Sequence, residues 1–149
     1  MKSEPGSART GIFEVRDRVR WSDVDIAGII YFGAYVRFIE LAETELFRSL
    51  GFPYARMFEQ LDIWLPRVHL DFDFHRPARM DDELIVRTRV ERIGVKSITL
   101  KIAVHDAATD ALDATATLVV VTVDRKNMQS RPVPDDLRRA LESFQQAVK

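Results

Sequence analysis

The chain has 149 residues, of which 46% are hydrophobic and 30% charged, a composition that excludes a wholly disordered or collagen-like protein. The 22 Lys and Arg residues nearly balance the 23 Asp and Glu residues, so no overall field favours nucleic acid or an anionic membrane surface. The absence of cysteine excludes disulfides, cysteine-bound zinc and a cysteine nucleophile. We expect one cytoplasmic domain without membrane insertion, because the longest apolar run, 26–36, is too short to span a bilayer.

The first part of the chain changes character near residue 11. Residues 1–10 contain Ser, Pro, Gly and charges without a hydrophobic period, which predicts a flexible tail and no signal peptide. A single folded domain is expected over 11–149. From Ile12 to Trp21, apolar and polar residues alternate, which predicts a half-buried strand. The residues predicted to share its apolar face are Phe13, Val15, Val19 and Trp21.

A long helix is predicted from Ala34 to Leu50, because apolar residues recur there at steps of three and four. Gly51 suits the left-handed position that often follows a helix, and Pro53 comes soon after. Residues 54–60 predict a further short helical segment. The charged residues expected to lie largely off the apolar stripe of the long helix are Arg37, Glu40, Glu43 and Glu45.

The second half of the chain predicts about four meandering antiparallel strands. Apolar and polar residues alternate in each, except near 118–121, where both faces are apolar and a central strand is expected. The segments concerned are 68–75, 84–91, 98–105 and 114–123. A last short helix is predicted from Asp135 to about Ala147. This order predicts an α+β fold, with one long helix lying across a single curved antiparallel sheet.

Several common catalytic motifs are absent from the sequence. It contains neither GxGxxG nor GxSxG. Gly28 and Gly33 have the spacing of a P-loop, but Ala34-Tyr35 follows where Lys and Ser or Thr are needed. Nucleotide binding of that type and serine-hydrolase chemistry therefore have no support.

Four potential metal ligands alternate along one predicted strand, namely His69, Asp71, Asp73 and His75. Alternate residues of a strand lie about 6.6–6.8 Å apart, too far for neighbours to bind one ion without a bulge. We interpret these residues as a polar strand face and His105 as a surface residue, and we expect no metal site.

The segment before the long helix has a different pattern. Asp25 lies in an apolar run, and a carboxylate buried there would be costly unless it were hydrogen-bonded or used in chemistry. Burial would also strengthen it as a base. The first-turn N–H groups over 31–34 would form a site for an oxyanion. A carboxylate beside such a site is the minimum set for attack on an ester or thioester, although Asp23 and Asp25 also suit ordinary turn and capping roles.

The residues from Arg20 to Tyr35, followed by Phe38-Ile39-Glu40, resemble the signature of the 4-hydroxybenzoyl-CoA thioesterase family of the hot-dog fold. That signature is roughly D-x-D-x-x-G, two hydrophobic residues and Tyr. The resemblance spans about 12–140 and continues in Arg76-Pro77-Ala78-Arg79, Asp81-Asp82-Glu83-Leu84, Arg92-Ile93-Gly94 to Ser97, Asp124-Arg125 and Arg131-Pro132-Val133-Pro134. It implies a five- or six-stranded antiparallel sheet wrapped around one helix. It also implies a homodimer or homotetramer with active sites at subunit interfaces.

The resemblance also implies roles for individual residues. Asp25 matches the family's catalytic aspartate, and the backbone N–H of Phe32 matches the group that polarises the thioester carbonyl. Many relatives carry His where this chain has Phe32, so no imidazole is expected to assist there. Glu40 matches an acidic position that can face the acyl pocket, and it is the second candidate for the catalytic carboxylate.

The remaining expected contacts concern binding of an acyl-CoA, or of an acyl carrier protein in its place. The candidates near the acyl group are Gly28, Tyr31, Gly33 and Phe38. The candidates near the coenzyme A phosphates are Arg92, Lys96, Ser97, Arg125 and Lys126. Ordinary solvated turn charge is the alternative interpretation of those cations. The acyl group is expected to be aromatic or a short-to-medium aliphatic chain.

Hydrolysis of such a thioester is expected to need no cofactor. If the pKa of the coenzyme A thiol is close to the cysteine value of ~8.5, the thiol leaves readily as thiolate. One carboxylate then suffices as general base or as nucleophile. Two alternatives stay open. A hot-dog dehydratase or hydratase would want a His paired with an acid, but all three histidines lie away from the helix-start segment. A non-catalytic module that binds acyl-CoA or lipid would have no evident use for Asp25.

Overall fold

The computed structural model describes residues 7–9 and 11–147. The helices are α1 (Tyr35–Ser49), α2 (Tyr54–Leu61) and α3 (Asp135–Gln146). The strands are β1 (Ser7–Arg9), β2 (Ile12–Arg18), β3 (Ile63–Trp64), β4 (Arg67–Phe74), β5 (Glu83–Ile93), β6 (Ser97–Asp106), β7 (Leu112–Val121) and β8 (Val123–Asp124). Two short 3-10 turns, Trp21–Asp23 and Phe32–Ala34, lie between β2 and α1.

Six strands form one antiparallel sheet in the order β1-β2-β5-β6-β7-β4, which confirms the predicted α+β class and the hot-dog arrangement. The predicted meander of neighbouring antiparallel strands is confirmed for β5 to β7. It is wrong for β4, which crosses to the far edge and places Leu70 opposite Leu118 of β7. The alternation of apolar residues could not reveal this pairing, because it defines the faces of a strand and not its neighbours.

The core lies between α1 and one face of the sheet. The fully or nearly fully buried residues of α1 include Tyr35, Phe38, Ile39, Ala42, Leu46 and Phe47, close to the predicted stripe. They pack with inward-facing residues of the sheet such as Phe13, Val86 and Leu100. Full burial of one such side chain stabilises the fold by roughly 1.5–3 kcal/mol. Gly51, with φ +92°, follows the helix as predicted.

Three local predictions differ from the structure. Ser7–Arg9, inside the predicted flexible tail, pair with β2, whereas the other residues of 1–10 lie outside the described ranges. Trp21 is 81% exposed, because the strand ends at Arg18 and the chain turns where Arg20 N–H donates to the Asp23 carboxylate.

The third difference concerns Glu43, which is fully buried although its place on the helix predicted otherwise. Its carboxylate accepts hydrogen bonds from the Tyr54 hydroxyl at 2.5 Å and from Arg67 at 2.8 and 3.0 Å. These partners come from α2 and β4, so no pattern within the helix could reveal them.

Within the described residues, no helix is long and apolar enough to cross a membrane.

Candidate active site

The aspartate singled out by the sequence lies in a tight hairpin over residues 24–30. Asp25 N–H donates to the Ile29 carbonyl over 3.0 Å, and the Asp25 carbonyl accepts from Gly28 N–H over 3.0 Å. The Asp25 Oδ1 atom accepts from Ala27 N–H at 2.9 Å. Gly28 has φ +76°, a conformation that glycine adopts at little cost. The hairpin is therefore closed by main-chain bonds and holds Asp25 at its tip.

The carboxylate of Asp25 is exposed, which corrects the expectation of a buried base. The apolar run divides at the hairpin, since Ile30 is buried in the core whereas Ile26, next to Asp25, is fully exposed. Asp25 faces a cavity of about 530 Å³ lined by Trp21, Val24, Asp25, Ile26, Gly28 and Met80. A small molecule therefore has direct access to this carboxylate in the single chain.

The predicted oxyanion donors lie at the 3-10 turn that leads into α1. Tyr31 N–H donates to the Asp23 carbonyl at 3.0 Å, and Ala34 N–H donates to the Tyr31 carbonyl at 3.0 Å. Within the described part of the chain, the N–H groups of Phe32 and Gly33 donate to no other residue. Such unpaired donors are general at helix starts, and they are available to an anionic ligand.

The aromatic side chains of this turn, Tyr31 and Phe32, are exposed and lie against each other. Tyr31 is 45% exposed and its ring meets the ring of Phe32 edge-on, with 6.5 Å between centroids. A Cβ atom at Gly33 would lie 2.8 Å from the Tyr31 ring, so only glycine fits without a shift of that ring. Gly33 thus lets Tyr31 fold over the turn.

A second cavity, of about 280 Å³, opens at the start of α1. It is lined by Ile29, Ile30, Phe32, Tyr35, Phe74, His75, Arg76 and Pro77. The Tyr35 ring lies 5.6 Å from the Phe74 ring, so aromatic surfaces dominate one wall. No sequence pattern indicated the contributions of Tyr35, Phe74 and Arg76, because β4 reaches the helix only through its crossover to the sheet edge.

Asp23, two residues before Asp25, is buried and bound to Arg37 of α1. Arg37 donates to the two Asp23 oxygens over 3.1 and 2.5 Å, and to Asp17 Oδ2 over 2.7 Å. Burial alone would raise the pKa of Asp23, but hydrogen bonds from Arg37 and from Arg20 N–H outweigh it and hold the pKa below its usual value. Asp23 therefore has the capping role that the sequence left open, and it is ionised at neutral pH.

A second aspartate–arginine group lies behind the 280 Å³ cavity. Asp113 is fully buried on β7 and accepts a 3.3 Å hydrogen bond from Arg76, while its Oδ2 atom has no partner among the described residues. Burial is the main cause that raises the pKa of Asp113 to about 6. Burial and the nearby Asp113 carboxylate also raise the pKa of Tyr35 to about 12. Neither residue was singled out by the sequence.

Glu40 and Phe38 depart from their expected places beside the acyl group. Glu40 is exposed and lines a separate cavity of about 250 Å³ together with Asp17 and Arg37, away from the Asp25 cavity. Phe38 is fully buried in the core, since it lies on the stripe of α1 that faces the sheet, and it lines neither the Asp25 cavity nor the Phe32 cavity.

The candidate phosphate-binding residues lie in or beside two turns that meet. Lys96 Nζ lies 3.4 Å from Ser130 Oγ, which joins the β5–β6 turn to the turn after β8. Arg125 is engaged within the fold, because it donates to the Phe58 carbonyl at 3.0 Å and lies 4.7 Å from the Trp64 ring centroid. The cavities lined by Asp25 and Phe32 contain none of the five predicted residues, Arg92, Lys96, Ser97, Arg125 and Lys126.

Known proteins resemble this chain in sequence and in fold. The acyl-CoA thioester hydrolase YbgC of Escherichia coli O6:H1 is 28% identical over 128 residues, which are 86% of this chain and 94% of that protein. The 1,4-dihydroxy-2-naphthoyl-CoA hydrolase of a Synechococcus species is 28% identical over 135 residues, or 87% of this chain and 89% of that protein. The crystal structure of a 1,4-dihydroxy-2-naphthoyl-CoA thioesterase from Synechocystis superposes with a TM-score of 0.81 at 24% identity, covering 88% of this chain and 96% of that one.

The family to which the chain belongs is shown by a match to a family model. The model of the thioesterase-like superfamily matches residues 19–141, which include the Asp25 hairpin, all of α1 and the sheet from β4 to β7. The relatives and the fold agree with this match. The chain therefore belongs to the thioesterase-like superfamily, and it is an enzyme that hydrolyses thioesters.

Proposed function

We propose that this enzyme hydrolyses an acyl-CoA, with Asp25 as the reacting carboxylate and the Phe32 N–H as the oxyanion donor. The observation that carries the proposal is one short segment that holds both an accessible carboxylate, at Asp25, and, at the start of the following helix, N–H groups without a partner among the described residues. Both belong to the segment that resembles the family signature. The relatives named as acyl-CoA thioester hydrolases supply the substrate class.

The proposed reaction needs one carboxylate and no cofactor. Asp25 either accepts a proton from the attacking water or attacks the thioester carbon itself and forms a mixed anhydride that water then opens. In both routes the carbonyl oxygen becomes an oxyanion, which Phe32 N–H stabilises, and the C–S bond breaks to release coenzyme A as thiolate. The products are the free acid and coenzyme A. Phe32 offers no imidazole, so the backbone N–H acts alone at that position.

An aromatic acyl group fits the surroundings best. The 280 Å³ cavity beside Phe32 has the rings of Tyr35 and Phe74 on its wall, and flat rings pack favourably against such surfaces. A relative named for 1,4-dihydroxy-2-naphthoyl-CoA also supports an aromatic group. Short and medium aliphatic chains are the competing substrates, and acyl carrier protein is the competing carrier.

For the coenzyme A phosphates, Arg92 and Lys96 are the better candidates. Both side chains are exposed, Arg92 at the end of β5 and Lys96 in the turn that follows, whereas Arg125 is held by Phe58 and Trp64. Replacing Lys96 with Ala should raise KM for acyl-CoA several-fold with little change in kcat. The reason is that a contact to the phosphates stabilises the bound substrate and the transition state equally, so its loss raises KM and leaves kcat nearly unchanged.

The edge strand β4 supports assembly as a homodimer. It pairs with β7 on one side only, and its side chains are exposed except for the partly buried Phe72. Val68, Leu70 and Phe74 are exposed apolar residues along this edge. Pairing of two β4 strands would extend the sheet and cover this apolar surface. A homodimer or homotetramer is thus the proposed working unit.

The proposal is tested by coenzyme A release from a panel of aromatic and aliphatic acyl-CoAs, followed with a thiol reagent. We expect hydrolysis of at least one aromatic acyl-CoA. Retention of an acyl-CoA without hydrolysis would support a binding module instead, and hydration of an enoyl-CoA without thiol release would support a hydratase.

Glu40→Gln is expected to keep most of the rate, because Glu40 lies outside the cavities of Asp25 and Phe32.

A further inference from the structure

We propose that Arg37 is a positioning residue for the reaction, because it fixes the Asp25 hairpin to the start of α1. The proposal rests on the proposed function of Asp25. Arg37 is the third residue of α1, and the turn that ends in this helix carries the Phe32 N–H. One side chain thus spans the two parts of the chain that must act on the same thioester.

The contacts of Arg37 use its whole guanidinium group. Nε and Nη2 donate to the two carboxylate oxygens of Asp23, and Nη1 donates to Asp17 at 2.7 Å. Nη2 also donates to the Arg18 carbonyl at 3.1 Å. A planar fork with several fixed donors is a property of arginine that lysine does not share. The arrangement therefore fixes an orientation and does more than neutralise charge.

Asp23, which Arg37 holds in place, is hydrogen-bonded to the chain both before and after the hairpin. Its carboxylate accepts from Arg20 N–H at 2.8 Å, before the hairpin, and its carbonyl accepts from Tyr31 N–H at 3.0 Å, after the hairpin. Only one residue separates Asp23 from Asp25. Asp23 is 4% exposed, so water does not easily replace a lost partner. Loss of the arginine fork would let the hairpin shift relative to the helix start.

A shift of about 1 Å between reacting groups can reduce a rate about 100-fold without removing any reacting group. Arg37→Gln is therefore expected to lower kcat about 10- to 100-fold and to change KM less than about 3-fold. The loss should appear for every acyl-CoA that the wild type hydrolyses, because the positioning concerns the thioester and not the acyl group.

Arg87→Gln is the matched control. Arg87 has the same 27% side-chain exposure as Arg37 and also binds two carboxylates, those of Glu14 and Asp110, at 2.7 and 2.8 Å. It lies on β5, and neither Asp25 nor Phe32 contacts these partners through a hydrogen bond. The Arg87→Gln variant should therefore retain the wild-type kcat.

A double-mutant cycle with Asp25 separates positioning from general damage. If Arg37 acts through Asp25, Arg37→Gln should change the residual rate of Asp25→Asn less than about 2-fold. An equal loss in both backgrounds, or an unchanged kcat in Arg37→Gln alone, would overturn the proposal. Should Arg37→Gln fail to fold, Arg37→Lys takes its place in the same cycle, and a kcat equal to wild type in that variant counts against the arginine fork.

The same experiment keeps the two proposals apart. If wild-type enzyme releases no coenzyme A from any acyl-CoA, the proposed function fails. If the wild type is active and Asp25→Asn is not, the function stands, and the kcat of Arg37→Gln alone decides the positioning role.

Discussion

Two aspartate–arginine groups near the helix start contain the same residue types and behave in opposite ways. Asp23 is bound to Arg37, and its pKa is lowered although burial opposes this. Asp113 is bound to Arg76, and burial raises its pKa to about 6. Each group also includes a second carboxylate near the arginine, so composition alone does not explain the difference.

The opposite pKa shifts of Asp23 and Asp113 are explained by their hydrogen bonds. Asp23 accepts from Arg37 Nε at 3.1 Å, from Arg37 Nη2 at 2.5 Å and from Arg20 N–H at 2.8 Å. Asp113 accepts one bond of 3.3 Å from Arg76, and its other oxygen is unpartnered within the described residues. A neighbouring arginine favours the charged form of a buried carboxylate only when enough donors replace water. The carboxylate of Asp23 is therefore fully hydrogen-bonded and ionised, whereas burial favours the protonated form of Asp113.

The largest expected effect comes from breaking the first group. Asp23→Ala removes a buried partner and leaves Arg37 with Asp17 as its one remaining carboxylate partner among the described residues. We expect the free energy of unfolding at pH 7 to fall by about 3–5 kcal/mol, measured by urea denaturation. Asp110→Asn is the control, because it removes the charge of an exposed pair with Arg87 and keeps a residue that tolerates the left-handed φ of +60° at this position; it should change the free energy of unfolding little. A similar small loss in both variants would contradict the distinction between the two groups.

Removal of the arginine from the second group should give a smaller and pH-dependent effect. In Arg76→Gln the buried Asp113 loses its cation, so the ionised carboxylate becomes still less favourable. We expect the free energy of unfolding to fall by about 2–3 kcal/mol at pH 8 and by less at pH 5, where Asp113 is largely protonated. Equal losses at the two pH values would show that Asp113 does not titrate near pH 6.

The smallest effect is expected for Asp113→Asn, and it has the opposite sign. Because the folded-state pKa is raised above the unfolded value of 3.8, the folded protein binds the proton more tightly, and the Asp113 contribution to stability falls as pH rises through about 4–6. Asparagine removes this cost. The variant should be more stable than wild type by about 1–2 kcal/mol at pH 8 and nearly equal to it at pH 4.5. Thermal unfolding at both pH values measures the difference, and lower stability of the variant at pH 8 would refute it.

Sequence patterns predicted the elements that depend on local periodicity. The stripe of α1 and the left-handed Gly51 are examples, and the resemblance singled out the hairpin that carries Asp25. The patterns failed where a partner comes from a distant segment. Glu43 is buried because Tyr54 and Arg67 reach it from other elements, and Asp113 meets Arg76 only because β4 pairs with β7. Trp21 shows a related limit, since the turn that exposes it depends on the Asp23 carboxylate.

The most direct measurement of the central claim is kcat/KM of Asp25→Asn beside its thermal stability. The Asn Oδ1 atom can accept the Ala27 N–H bond as Asp25 Oδ1 does, and the residue is exposed, so the unfolding midpoint should stay within about 2 °C of wild type. We predict that kcat/KM for the best acyl-CoA falls about 10²- to 10⁴-fold. A folded Asp25→Asn variant that keeps the wild-type rate would contradict the account, because some other group would then perform the hydrolysis.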